Sequence, residues 1–120
     1  MALHHASSGA LIDIRPLGSK LKNGRTETLY KSDHLEVFRM VLLAGKAMPA
    51  HQVLGEISIQ CIEGSIELTA VGTSQLMREG DLICLAGGTS HALKAIEDSS
   101  ALVTILLQAR SRSSRRNPSL

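Results

Sequence analysis

An all-β fold of short antiparallel strands is what this sequence predicts, and three observations predict it. Apolar runs of three to nine residues recur along the chain, turn-forming residues separate them at intervals of roughly ten, and no stretch sustains the period of an amphipathic helix. Short strands at such regular spacing build a sandwich or a barrel.

Taken in order, a first strand is expected over residues 11–15, and residues 17–21 can form one short helical turn before Asn23-Gly24 reverses the chain. Strands follow over residues 28–31 and 35–43, the second ending at Gly45. Gly55 precedes a strand over 57–62, Gly64 separates it from 66–71, and Gly72 separates that from 75–77. Gly80 leads into 82–85, Gly87-Gly88 into 92–96, and Glu97-Asp98-Ser99 into the last strand, 101–107. These glycines are read as turn residues with no chemistry attached.

Two of these runs, residues 38–43 and 102–107, are apolar on both faces, whereas a sheet with one wet face alternates. Their outer side needs a cover. The N-terminal segment, a second subunit or both can supply it, so a homodimer is expected.

Composition narrows the function. The 120 residues are 43% hydrophobic but only 2% aromatic, with no Trp, so the core is aliphatic and there is no platform for stacking bases or sugars. The formal charge is +2, but Arg110, Arg112, Arg115 and Arg116 all lie in the last eleven residues. Setting them aside leaves nine basic against eleven acidic side chains, a balance that argues against a nucleic-acid partner. The Ser/Arg-rich segment 109–120 is expected to be a disordered basic tail. No stretch is long and apolar enough to span a bilayer, and the start lacks the apolar run of a signal peptide. Cys61 and Cys84 sit in apolar runs without CxxC spacing, which suits buried, reduced thiols in the cytoplasm.

Two glycine-framed histidine segments carry the most specific signal. In the first, Gly45 is followed by five residues and His51, and the segment closes at Gly64; in the second, Gly80 leads through Ala86 and Gly88 to His91 and Ala95. Together they resemble the two motifs of the cupin superfamily, over roughly residues 30 to 107. The resemblance implies an antiparallel jelly-roll barrel, or double-stranded β-helix. It divides the chain into an arm with short N-terminal strands at 1–26, packing on the barrel or on a partner, a barrel at 27–108, and the tail.

The resemblance also implies a site, and the departures from it matter. In metal-binding cupins two histidines and a glutamate of the first motif and the histidine of the second hold one metal ion. Those positions here are His51, Val53, Ile57 and His91, so two donors stand and two are β-branched hydrocarbons. Glu56 lies one residue from the glutamate position, which on a strand turns it to the opposite face. Two imidazoles leave most of a coordination sphere to water, so the expected cofactor is none, or one weakly bound divalent ion (nickel, iron, manganese or zinc) on His51 and His91. His4, His5 and His34 are the remaining histidines, and chain-end residues such as the first two are usually unstructured.

Three readings of the pair follow. The first is a module that binds or senses a small molecule, with His51 and His91 as polar contacts on an apolar wall of Val53, Ile57, Ile59 and Cys61. Neutral imidazoles donate from one nitrogen and accept at the other, which suits an uncharged or anionic ligand. The second is a dioxygenase- or isomerase-like metal-dependent cupin enzyme whose two-histidine site is completed by water, substrate or another ligand. No Asp or Glu is placed by alternation to orient either histidine, which weighs against catalysis. The third is a structural role in the core.

Overall fold

The computed structural model describes residues 5–107 of the chain. The tail expected at 109–120 lies outside them. Among the described residues the strands are β1 (Glu27–Lys31), β2 (Leu35–Leu42), β3 (Ala47–His51), β4 (Ile57–Glu63), β5 (Ser65–Ala70), β6 (Thr73–Arg78), β7 (Leu82–Leu85), β8 (His91–Ala95) and β9 (Ser99–Leu106). They form two antiparallel sheets, one in the order β1-β2-β9-β4-β7 and the other β3-β8-β5-β6. From β2 onward the chain keeps crossing between the sheets, and only the β5–β6 hairpin stays within one. This is the expected jelly-roll barrel.

The core lies between the sheets, where alternation aims one face of every strand. Phe38, Met40 and Leu42 of β2 meet Ile57, Ile59 and Cys61 of β4 and Ala101 and Val103 of β9, and Ile66, Leu68, Leu93 and Ala95 close the opposite side. Aliphatic side chains do nearly all of this packing, as the scarcity of aromatic residues requires. At Gly64, between β4 and β5, φ is +86° and a Cβ would run into the Asp98 carbonyl oxygen and the Ser99 hydroxyl, so only glycine fits.

The segment at 11–15 corrects an expectation, because it pairs with no strand. It crosses the outer face of β2 instead of running along a sheet edge, and its carbonyls go to a side chain. Arg39 Nη1 donates to the Arg15 oxygen (2.9 Å) and Nη2 to the Asp13 oxygen (3.1 Å). A short 3-10 helix, Gly18–Asn23, follows where one turn was expected and buries Leu21. Glu63, at the end of β4, accepts the backbone N–H groups of Leu17 (2.9 Å) and Gly18 (3.1 Å) and the Ser100 hydroxyl. The arm therefore covers part of the doubly apolar outer face with its own residues.

A second difference is β3, which the sequence does not announce because Pro49 interrupts it. Proline removes a ladder donor and is tolerated on sheet edges. Accordingly, β3 is the edge strand of its sheet.

Candidate functional site

The β3–β8 pair builds the candidate site. Met48 is paired with Leu93, yet the next match is His51 with His91, so three steps along β3 answer two along β8. This bulge at Pro49-Ala50 changes the parity of the strand. Without it Ala50 would stand opposite His91; with it His51 takes the same face as Met48. The bulge is the feature that brings the two imidazoles together, with ring centroids 4.5 Å apart and planes tilted by 51°.

The two histidines differ in environment. His91 opens β8 on the same face as Leu93 and Ala95, flanked by β3 and β5, and is only 2% exposed. His51 ends an edge strand and is exposed. Each Nδ1 contacts a carbonyl two residues back: His91 on Thr89 at 3.0 Å and His51 on Pro49 at 3.2 Å. A carbonyl only accepts, so each Nδ1 carries a proton and Nε2 is the ring nitrogen left for other contacts. The His91 Nε2 is buried with no hydrogen-bond partner among the described residues, an arrangement proteins rarely leave without a purpose.

The surrounding loops hold this rim tightly. Gly88 N–H donates to the Val53 carbonyl at 2.8 Å, and at Gly87 a Cβ would collide with the Leu54 carbonyl oxygen. The β3–β4 and β7–β8 connections are thus pressed together beside the histidines. Gly87-Gly88, readable from the sequence only as a turn, is the clamp.

The other expected wall residues are distributed unevenly. Val53 is half-buried and packs against the core beyond β3. Ile57 is buried at the head of β4, between Leu85 of β7 and Ile105 of β9. Ile59 and Cys61, at 1% and 0% exposure, belong to the core between the sheets. The Cys61 thiol is held there: burial pushes it up to about 11, and Sγ donates to the Glu63 and Gly64 carbonyls. Cys84 departs from the expected burial and is exposed, because β7 is a sheet edge and this side chain points outward. Glu56 lines a separate groove of about 310 Å³ on the outer face with Ser58, Cys84, Thr104 and Leu106, away from the imidazoles. His5 and His34 are exposed, and His4 lies outside the described residues.

A metal ion would need more than this arrangement offers. No group of three or more His, Cys, Asp and Glu side chains converges among the described residues. The donors present do not fit a resident metal held by three protein ligands.

No family model matches the sequence, and no curated protein matches it. Solved structures do. An RmlC-like cupin protein from Desulfovibrio desulfuricans is 25% identical, with a TM-score of 0.63 over 86% of this chain and 97% of that one. A conserved protein of unknown function from Streptococcus pyogenes is 19% identical (TM-score 0.69; 92% and 100% covered). An RmlC-like cupin with a double-stranded β-helix fold from Methanocaldococcus jannaschii is 18% identical (TM-score 0.69; 88% and 99% covered). The described chain is therefore a cupin barrel, a double-stranded β-helix of the kind its two glycine-framed histidine segments imply.

Proposed function

We propose that this barrel binds or senses an uncharged small molecule that donates hydrogen bonds to the Nε2 atoms of His51 and His91. The observation that carries the reading is the buried, unpartnered Nε2 of His91 beside the His51 ring. With both Nδ1 protons spent on backbone carbonyls, a pair of neutral imidazoles offers two acceptors and no donor. An anion would meet lone pairs instead of donors there, so of the ligands considered from the sequence the uncharged class, with hydroxyl or N–H groups, fits better. Val53 provides adjoining apolar surface. A divalent ion competes for the same lone pairs and would be held weakly by two imidazoles with water. The free thiols suit a reducing compartment, so we place the protein in the cytoplasm, and we propose that it acts as a homodimer.

Elemental analysis of dialysed protein is the direct check. The binding reading expects far less than one metal ion per chain, together with zinc titrations that saturate only weakly and lose their signal in His51→Ala while the variant keeps its melting temperature. Close to one nickel, iron, manganese or zinc per chain surviving dialysis would overturn the reading in favour of a metal-dependent enzyme.

A further inference from the structure

A second site lies on the other side of the sheet, where the arm crosses the β1–β2 hairpin. Arg39 projects from the outer face of β2, between Glu27 of β1 and Leu102 of β9 in the ladder, and is only 7% exposed. Its guanidinium has five N–H donors, and two of them meet the carbonyls of Asp13 and Arg15. The other three have no acceptor among the described residues. Those carbonyls are neutral, and the one ion pair among the described residues joins Arg15 to Asp13 at 3.1 Å. A buried cation is therefore left without a contacting counter-charge, a condition that proteins resolve by pairing.

The guanidinium borders a cavity of about 540 Å³, within the usual range for small-ligand sites. Lys20 and Arg25 line the same cavity from the exposed side, and Ser19 and Asn23 add neutral hydrogen-bonding groups. Two carboxylates also line it, Asp13 and Glu27, but Asp13 is already engaged by Arg15. Three cations against Glu27 in the cavity and Glu63 nearby, whose carboxyl feels the charge of Arg39, still leave an excess of positive charge around a buried, fork-shaped donor. Guanidinium matches the paired oxygens of carboxylates and phosphates better than any other side chain.

We propose that this cavity binds a small organic oxyanion, a molecule carrying a phosphate or carboxylate group, with Arg39 at its floor and Lys20 and Arg25 at its rim. Occupation would neutralise Arg39 and pin the arm to the barrel, since the same guanidinium holds the arm's carbonyls. The site is separate from the histidine pair and does not depend on the reading given to it.

Calorimetric titration of the full chain with inorganic phosphate and with succinate, against chloride at matched ionic strength, tests this. Saturable binding of at least one anion is expected. It should weaken about tenfold or more in Lys20→Ala/Arg25→Ala, both exposed positions, with the anion-free melting temperature unchanged. Binding of phosphate alone assigns a phosphate site, and of succinate alone a carboxylate site. No saturable heat from either anion, or an effect that chloride reproduces, overturns the proposal. So does an unchanged affinity in the double variant, or in Arg25→Gln should the double variant fail to fold.

Discussion

Among single residues, Glu63 does the most to join parts of the molecule that are distant in sequence. Burial pushes its carboxyl up, but the Ser100 hydroxyl, the backbone N–H groups of Leu17 and Gly18, and the charge of Arg39 together hold it below its ordinary value of 4.5. A carboxylate favoured in the folded state stabilises the fold fully above its unfolded pKa, and that contribution is lost as the pH falls through the lower folded value. Melting temperatures measured from pH 7 down to pH 3 should therefore drop below pH 4.5, and Glu63→Gln should flatten that drop. At neutral pH the substitution should cost about 1 kcal/mol, the low end for a charged hydrogen bond because solvent reaches the group. An unaltered acid limb in Glu63→Gln would show that the arm is anchored elsewhere. Neither this anchor nor the Arg39 cavity was legible in the sequence, where nothing sets Glu63 or Arg39 apart from other charged residues. Their partners lie 45 or 46 and 24 or 26 residues away, and a contact of that range leaves no local pattern.

At the level of elements, what the sequence made legible followed from local chemistry. Glycine positions and alternation located β7 at its observed bounds and most other strands within a few residues, because a strand needs only a pleat and two turns. Segment 11–15 has the apolar composition of a strand, but its carbonyls are taken by the Arg39 guanidinium instead of a sheet edge, so composition misled. For β3 the error ran the other way: Pro49 hid the strand, and the same proline accompanies the bulge that turns His51 inward. The histidines were therefore found by spacing, while the geometry that unites them was not. Glycine replacements test this account of the turns. Gly64→Ala forces a side chain into left-handed backbone and into the Asp98 carbonyl, and should destabilise by about 2 kcal/mol or more in denaturant titration. Gly72→Ala shares the positive φ but meets nothing nearby, so it should cost clearly less. Equal losses at the two positions would mean that strain alone, rather than the close approach of β9, governs the β4–β5 turn.

For the whole molecule, the question is how a sheet apolar on both faces is kept from water. The arm answers for the half of the outer face around Arg39 and Val41, where Gly24 packs against Val41 and Leu21 is buried. Nothing in the described chain covers the other half. There the groove of Glu56, Ser58, Cys84, Thr104 and Leu106 lies open, and Leu82 and Leu106 are about half exposed or more. Its edge, β7, is only four residues long, which limits pairing through the backbone and leaves the side-chain surface as the means of association. A second copy meeting this surface about a twofold axis would place each groove against its equivalent and bury both sets of leucines. Light scattering at micromolar concentration should accordingly return twice the 12.8 kDa chain mass. Leu82→Glu/Leu106→Glu should return a single chain with unchanged far-ultraviolet circular dichroism, since both side chains point away from the core. A monomeric wild type would sink the dimer, and a double variant that stays dimeric would move the interface to another face. In either case the half-covered sheet would have to be tolerated in water, where exposed leucines such as Leu82 and Leu106 are a standing liability for aggregation.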